Sequence, residues 1–451
     1  MSFTIAENIR TSQLSQTAPV APSFPSNSSK PICSKIAPAQ RGPSRDTGCG
    51  FVAETQLLDA KLTAEVNLFR DASHQAAMKK TERDVKKILT EEIKGIKIWS
   101  TGSLPAGVEL HSSDLDLSIK IPGSEGSSMR KLWRCRGILA QWNTFKNFHV
   151  QPARIPVLSM VHRETGVEID VTVDNDDGKR NTQLLVWYGQ IDTRFVLLSK
   201  AVKDWAKCVG VGGAKRGGLN SFALCLMVIH YLQVGVNPAV LPNLQEIFPE
   251  LNGNIVVEDD NYQKRNLREE MEKRGHEFEV NESSVGALFV GFLKYYASFD
   301  FTSNWISVRQ GKVMRKSWDE KNEPMDGMPR NSRRIVIQDP FIKTGWNCAA
   351  SVWEYDRFER IIRQFGLSYE KILQSRSIFP GVSVARRRIE EAGKRRDMQI
   401  IQWKTEIAEG RPGKISFNEK WEITEDAVWE NKEAWRPPYH GYQAPDNYWQ
   451  L

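Results

Sequence analysis

The sequence is poor in cysteine, and its cysteines form no recognisable pattern. Six occur in 451 residues, without a Cys-x-x-Cys pair or a Cys/His spacing typical of metal ligands: Cys33, Cys49, Cys135, Cys208, Cys225 and Cys348. The sequence therefore indicates neither a structural zinc site nor a disulfide framework. An intracellular, reducing compartment fits this cysteine usage best.

Long hydrophobic runs are also missing. No uninterrupted apolar stretch reaches the roughly 20 residues that a transmembrane helix needs. The hydrophobic content of 40% and charged content of 26% are typical of a soluble globular protein. At roughly 150 residues per domain, the length predicts two or three domains. The formal net charge of +7 weakly favours an anionic partner such as RNA.

Residues 1–52 are rich in Ser, Pro, Ala and Thr and contain few large apolar side chains after Ile9. Such a segment cannot bury enough apolar surface to offset the entropy of ordering, so we predict a disordered leader. Its scarcity of acids and its basic residues leave a mitochondrial presequence as the alternative. Sparse arginine, and Glu7 near the start, favour the disordered leader.

The stretch 98–120 combines a turn, a short polar loop and an alternating strand. Gly102 and Ser103 form the turn, and Asp114 and Asp116 follow after ten intervening residues. Because successive strand side chains point to opposite faces, both carboxylates project to one side. Such a pair can share Mg²⁺, which takes oxygen ligands and accepts further contacts from substrate phosphates. An isolated Asp-x-Asp is more often a solvated strand edge, but this combination indicates a nucleotide-phosphate and metal site.

The order of Gly-Ser, spacer and two acids on a strand resembles the DNA polymerase β-like nucleotidyltransferase superfamily. That resemblance implies a third carboxylate on a neighbouring strand. The segment 167–173 alternates apolar residues with Glu168, Asp170 and Thr172, which share the opposite face. Asp170 is the better candidate and Glu168 the weaker one. The preceding residues 162–166 predict the turn of a hairpin.

A helix is predicted at 193–208, with lysines at 200, 203 and 207 along one face. Spacing alone is equally consistent with a solvated basic face. The segment Val-Lys-Asp-Trp-Ala-Lys resembles a helix of noncanonical poly(A) and poly(U) polymerases whose two lysines hold the triphosphate. The resemblance implies that role for Lys203 and Lys207, and lysine suits phosphate because it supplies a compact point charge.

Three further segments resemble nucleotide-binding motifs of the same family. Asn181 matches an asparagine that contacts the ribose hydroxyls; a helix cap is the alternative. Ser221 and Phe222 match a phosphate-binding hydroxyl and a base-stacking aromatic, with an ordinary core phenylalanine as the alternative. Trp346 and Asn347 follow an Asp-Pro-Phe motif, and Trp346 stands where a UTP-preferring subset carries histidine.

The glycine-rich segment 209–218 lacks a P-loop ending and is interpreted as a flexible connection.

The resemblance covers about residues 53–375 and implies an α+β, bilobal fold. A palm-like mixed-sheet catalytic domain is expected at 94–190, and a mostly helical central, PAP-associated domain at 191–375. Helices at 53–93 are expected to belong partly to the central domain. The nucleotide is expected in the cleft between the lobes.

The implied activity is template-independent transfer of nucleoside monophosphates from nucleoside triphosphates to RNA 3′ ends. Two Mg²⁺ or Mn²⁺ ions are expected on Asp114, Asp116 and Asp170, with Asp170 as general base. Uridine addition is slightly favoured over adenosine or mixed tails. A nucleotide second-messenger synthase and an inactive RNA-binding scaffold are the other hypotheses; the lysine helix argues against the first and the intact acids against the second.

The C-terminal part, 376–451, combines a predicted basic helix with a tail containing Trp429, Trp435 and Trp449. The helix could bind RNA phosphates or act as a nuclear signal, but a salt-bridged face is slightly favoured. The tail is expected to dock onto the enzyme or onto a protein partner. The expected partners are thus an RNA 3′ end, a nucleoside triphosphate and a protein, without a membrane. We expect a cytoplasmic or cytoplasmic RNA granule location, with the nucleus or mitochondria as alternatives.

Overall fold

The computed structural model describes residues 59–64, 72–110, 113–123, 126–153, 155–252, 265–276, 279–319, 324, 328–329, 334–341 and 346–375. The predicted leader at 1–52, and the predicted basic helix and Trp-rich tail at 376–451, lie outside these ranges. Within them, no helix has both the length and the apolar character needed to cross a bilayer.

The sheet that carries the predicted acids has five strands. They are β1 Lys97–Thr101, β2 Leu115–Lys120, β3 Phe145–Gln151, β4 Val157–His162 and β5 Glu168–Val173. Their order is β1-β2-β5-β4-β3; β2 and β5 run parallel, and the other neighbours are antiparallel. The predicted hairpin is β4 and β5, closed where the His162 N–H donates to the Val167 carbonyl at 2.9 Å.

Alternation along the central strands explains why they form and which way they face. Leu115, Leu117 and Ile119 of β2 are fully buried, as are Ile169 and Val171 of β5. These side chains share one face of the pleat, which we call the back face, and polar side chains occupy the other, the catalytic face. A one-residue slip in register would exchange the two sets, so burial of the back face fixes the register.

Two helices cover the back face: α1 Ala72–Glu92 and α2 Ser128–Leu139. Helix α2 begins where the Ser127 side chain accepts a hydrogen bond from the Arg130 N–H. It buries Leu132, Cys135 and Leu139 in one cluster with the apolar residues of β2 and β5. Helices α1 and α2 thus lie on the side of the sheet opposite to the catalytic face.

The remaining elements are mostly helical, as expected for the α+β fold. They are α3 Asp176–Ile191, α4 Thr193–Cys208, α5 Ser221–Val234, α6 Leu244–Ile247, α7 Leu267–Lys273, α8 Val285–Ala297, the hairpin β6 Asn304–Ser307 with β7 Lys312–Arg315, and α9 Tyr355–Ser375; short 3₁₀ helices lie at Ala214–Arg216 and Pro249–Asn252. The helix predicted at 193–208 is confirmed with those bounds. The mixed sheet and the helical region confirm the predicted α+β architecture.

Aromatic rings fill the core of the helical region. Trp205 of α4 lies 4.9 Å from Phe365 of α9, centroid to centroid, and its Nε1 donates to Ser368 Oγ at 2.9 Å. Leu62, from the helical residues 59–64, belongs to this core and packs so closely on Gly286 that a Cβ there would approach Leu62 Cβ to 2.6 Å. A segment that precedes the sheet in the chain thus packs with helices that follow it. The domain boundaries themselves stay predictions.

Candidate active site

The three predicted carboxylates come together on the catalytic face. The parallel pairing of β2 and β5 sets Asp116 opposite Asp170, and Asp114 precedes β2 by one residue. One carboxylate oxygen from each of the three lies within 4.8 Å of the others. Asp114 is exposed and the other two are half-buried, so the cluster is open to solvent on one side. Three oxygen ligands with an open side are a donor set suited to Mg²⁺ or Mn²⁺.

The burial and close spacing of these acids change the pKa values of Asp116 and Asp170. Burial, reinforced by the charges of Asp114 and Asp170, raises the pKa of Asp116 well above its ordinary value, and Lys203 opposes that rise. Burial also raises the pKa of Asp170, against the lowering effect of its hydrogen bond from Ser159. Like charges held this close need a counter-charge, which a divalent cation would supply. The residues therefore fit a metal.

Ser159 is a functional candidate that the sequence analysis missed. It lies opposite Asp170 in the β4–β5 register, and its hydroxyl donates to Asp170 Oδ1 at 2.6 Å. This bond holds the carboxylate in one orientation and leaves Oδ2 for other partners. The signal in the sequence was a lone serine in an apolar strand, which becomes meaningful only when the cross-strand register is known.

The Gly102–Ser103 turn follows β1 directly. Gly102 has φ of +75°, and a Cβ at this position would collide with Asp116 Oδ2. Its N–H donates to Thr182 Oγ1 at 2.7 Å, which ties the turn to helix α3. The glycine thus gives room to the Asp116 carboxylate, and the predicted phosphate contact of Ser103 stays a prediction. Asn181 is half-buried on α3 beside Thr182, so its predicted ribose contact stays a prediction.

The three lysines of helix α4 have different surroundings. Lys200 is buried and pairs with Glu109 at 3.0 Å, and Lys203 is buried with its Nζ donating to the Val108 carbonyl at 2.8 Å. Burial lowers the pKa of Lys203, while its acidic neighbours Asp114 and Glu109 counteract part of that effect. Lys207, one turn further on, is exposed. The predicted triphosphate role of Lys203 and Lys207 is compatible with these positions and stays a prediction.

The segment 209–218, interpreted above as a flexible connection, is closed by its own backbone. Gly213 N–H donates to the Leu219 carbonyl, and Gly218 N–H donates to the Gly213 carbonyl, both at 3.0 Å. A Cβ on Gly218 would lie 2.6 Å from the Val211 carbonyl oxygen, so the close approach needs glycine. The closed loop exposes Lys215, whose charge opposes the rise in the Asp170 pKa. Its basic end therefore faces the carboxylate cluster.

The predicted base-contacting residues lie on two segments that touch. Helix α5 opens with the exposed Ser221 and the half-buried Phe222. Its N-cap, Asn220, donates from Nδ2 to the Cys348 carbonyl at 2.8 Å, which attaches the segment after Trp346 to the start of α5. Phe222 packs against the helical core as a partly buried side chain. Both the core role and the stacking role remain consistent with this position.

Trp346 and Asn347 differ sharply in exposure. The Trp346 side chain is 51% exposed, whereas Asn347 is buried. Asn347 Oδ1 accepts from the Ile337 and Ala349 N–H groups, and its Nδ2 donates to the Ile335 carbonyl at 2.9 Å. The asparagine therefore shapes the loop that presents the tryptophan. Direct nucleotide contacts by either residue stay predictions.

Comparison with known protein families adds two matched regions. Residues 59–190 match the model described as "Poly(A) RNA polymerase, mitochondrial-like, central palm domain", and residues 284–345 match "Cid1 family poly A polymerase". The first region contains the carboxylate cluster and the Gly-Ser turn. The second contains α8, β6 and β7.

Curated relatives show the same kinship. The chain is 35% identical over 246 residues to the poly(A) RNA polymerase gld-2 homolog A of Drosophila melanogaster, covering 53% of this chain and 17% of that protein. It is 35% identical over 228 residues to human poly(A) RNA polymerase GLD2, covering 50% of this chain and 43% of the relative. The chain thus spans less than half the length of these two relatives.

Solved structures confirm the fold. A GLD-2/RNP-8 complex has a TM-score of 0.55 at 24% identity, covering 72% of this chain and 96% of the solved chain. The Cid1 poly(U) polymerase bound to MgGTP has a TM-score of 0.58 at 23% identity, with coverage of 72% and 97%. The chain is thus similar to poly(A) RNA polymerases over its matched regions, and it shares the fold of these solved nucleotide-transferring enzymes.

Proposed function

We propose that the protein transfers nucleoside monophosphates from nucleoside triphosphates to RNA 3′ ends without a template. The observation that carries this proposal is the cluster of Asp114, Asp116 and Asp170 beside the Gly102–Ser103 turn. A metal site beside a Gly-Ser turn suits phosphoryl transfer, because catalysis there consists of positioning and charge stabilisation. The similarity to poly(A) RNA polymerases supports the same activity.

The three carboxylates would hold one or two divalent cations, which stabilise the charge on the α-phosphate and the leaving pyrophosphate. Asp170 Oδ1 is engaged by Ser159, so Oδ2 is the oxygen placed to accept the proton of the RNA 3′ hydroxyl. Ser103, Lys203 and Lys207 are the residues proposed to contact the triphosphate.

Uridine and adenosine are the two candidate nucleotides. The exposed Trp346 ring in place of a histidine supports loose selection with uridine accepted, whereas the curated relatives are named poly(A) RNA polymerases. That naming is the specific observation in favour of adenosine addition. The pocket around Phe222 and Trp346 is the proposed place of base selection.

Extension of a 5′-labelled single-stranded RNA with each of the four nucleoside triphosphates tests the proposal. We expect tails with UTP, ATP or both in the presence of Mg²⁺ or Mn²⁺, and no tails with the Asp116→Asn protein. Failure of every nucleotide to extend RNA would contradict the proposal. Formation of short cyclic or linear oligonucleotides without an RNA primer would favour a second-messenger synthase instead.

A protein partner and a compartment belong to the same proposal. Two similar solved structures contain GLD-2 together with RNP-8 or GLD-3, which supports a partner for this chain as well. The Trp-rich tail that is proposed to contact this partner lies outside the described residues.

The four cysteines in the described ranges are free thiols, which supports the proposed cytoplasmic location.

A further inference from the structure

Helix α3 covers the catalytic face of the sheet over β1 in the described part of the chain. Over β1, the Trp99 side chain is buried beneath helix α3, with Lys179 Nζ 3.6 Å from its ring centroid. At the opposite edge, β3 presents the exposed side chains of His149 and Gln151. Among the described residues, the half of this face formed by β3 and β4 is therefore exposed at its β3 edge and half-buried along β4, next to Asp170. We call it the open half-face.

Cross-strand register shows which side chains share this surface. Asp116 pairs with Asp170, Asp170 with Ser159, and Ser159 with His149. Directly paired residues point to the same side of a sheet, so these four side chains form one row from the metal site to the free edge. With strands about 4.8 Å apart, His149 lies about 10 Å from Asp170.

Lys146 and Gln151 lie in the rows on either side of His149. Lys146 pairs with Val161, which pairs with Glu168, and Gln151 pairs with Val157, which pairs with Thr172. The open half-face thus offers an imidazole, an ammonium group and an amide. Glu168 is its acid besides Asp170 and lies two strands from Lys146, so an RNA phosphate is expected nearer to Lys146.

The in-line geometry of phosphoryl transfer indicates which substrate lies over the open half-face. The attacking oxygen and the leaving pyrophosphate lie roughly in line on opposite sides of the α-phosphate. The Gly102–Ser103 turn, proposed to meet the triphosphate, follows β1 and lies against Asp116. The 3′ hydroxyl must then approach from the other side of the carboxylates, over β4 and β3.

We propose that the open half-face of Lys146, His149, Gln151 and Ser159 binds the 3′-terminal nucleotide of the RNA primer. His149 stacks on the unpaired base, because imidazole rings are among the side chains that stack on single-stranded RNA. Lys146 contacts the adjoining phosphate as a point charge. This assignment rests on the proposed RNA-tailing function and adds to it a binding site for the primer.

The first test separates primer binding from nucleotide binding in steady-state extension of a 5′-labelled RNA. His149→Ala should raise KM for RNA by at least about fivefold, since base stacking on an aromatic ring is worth roughly 1–3 kcal/mol. KM for the nucleoside triphosphate should stay within about twofold, because the triphosphate lies on the other side of the carboxylates. His149→Phe, which keeps a ring, should restore most of the loss.

The matched control is Arg134→Ala. Arg134 is an exposed cation on α2, which packs against the back face, so its loss should leave KM for RNA unchanged. An unaltered KM for RNA in His149→Ala would overturn the proposed primer site. An equal rise in KM for RNA and for the nucleoside triphosphate would also overturn it, because that result indicates a general distortion of the site.

Photocrosslinking tests the proposed primer site independently of catalysis. A 5′-labelled RNA ending in 4-thiouridine should crosslink to peptides within residues 145–162, and a crosslink confined to the back-face helix α2 would refute the primer site. A wild-type protein that extends no RNA would refute the proposed function. The crosslinked peptide would still show whether the open half-face binds an RNA 3′ end.

Discussion

The sheet and the helical region hold their predicted site residues in different ways. Asp116 and Asp170 are fixed by the backbone pairing of two central strands, and Ser159 orients Asp170 from a third. In the helical region, Phe222 stands in the first turn of a helix and Trp346 on a loop shaped by Asn347. This difference indicates that the proposed metal chemistry depends on a rigid frame. The two positions proposed for base choice are held instead by the start of one helix and by one loop.

The largest expected effect follows from removing one charge of the carboxylate cluster. Asp114→Asn or Asp116→Asn should lower single-turnover extension by at least about a thousandfold, because a metal clamp supplies several kcal/mol of transition-state stabilisation. The thermal unfolding temperature should not fall, since the wild-type carboxylates repel one another. Extension rates within about tenfold of wild type would break the assignment of the metal site.

A smaller loss is expected when the frame is disturbed while all three acids remain. Gly102→Ala places a Cβ against Asp116 Oδ2, and a misplacement of about 1 Å can cost on the order of a hundredfold in rate. Gly123→Ala is the matched control, because Gly123 has a φ of +61° but nothing within 4 Å of the added Cβ. Equal losses in both variants would point to backbone strain instead of displacement of Asp116.

Lowering the pH should destabilise the helical core around His230 and stabilise the carboxylate cluster of the sheet. Burial lowers the pKa of His230 in the helical core to about 4, so its neutral form stabilises the fold above pH 6.5 and this contribution is lost as pH falls through 4. The loss amounts to about 3 kcal/mol. Burial and like charge raise the Asp116 pKa, so acidification favours the folded carboxylate cluster.

Urea unfolding of wild-type and His230→Phe proteins at pH 7 and pH 4.5 measures the helical contribution. The difference between the two proteins should change by up to about 3 kcal/mol between these conditions. An unchanged difference would mean that His230 does not titrate as its burial predicts.

The sequence alone predicted some of the site residues and missed others. Asp114 and Asp116 were predictable because period-two alternation puts strand side chains on a known face, and Asp170 because the family resemblance implied a third acid that alternation then located. Ser159 was not, since its partner is set by register between distant segments. Lys200 shares the predicted lysine face, yet it is buried against Glu109, 91 residues earlier in the chain. Residue patterns thus predict local direction well and long-range partners poorly.

A moderate effect on nucleotide binding is expected at Phe222, which is proposed to stack on the base. Phe222→Ala should raise KM for the nucleoside triphosphate by about 5- to 150-fold, which corresponds to a stacking contribution of roughly 1–3 kcal/mol. Phe222→Tyr should change it little because the ring remains. Nucleotide titration of both variants at saturating RNA gives the comparison, and equal effects would indicate that Phe222 only packs in the core.

The smallest expected effect concerns base choice. Wild type should use UTP with another nucleotide incorporated within about tenfold, a gap of roughly 1.4 kcal/mol. Trp346→His should sharpen the preference for UTP, because an imidazole can donate a hydrogen bond to a uracil carbonyl. Sequencing of tails made from an equal mixture of four nucleotides tests this. An unchanged tail composition would place base selection elsewhere.

The most direct test of the metal site is Mn²⁺ binding measured by electron paramagnetic resonance in the presence of a non-hydrolysable nucleoside triphosphate analogue. The protein should remove Mn²⁺ from the free-ion signal in proportion to its concentration, and the Asp116→Asn protein should do so far more weakly at equal concentration. Equal Mn²⁺ binding by the two proteins would contradict the assignment of Asp114, Asp116 and Asp170 as the metal site.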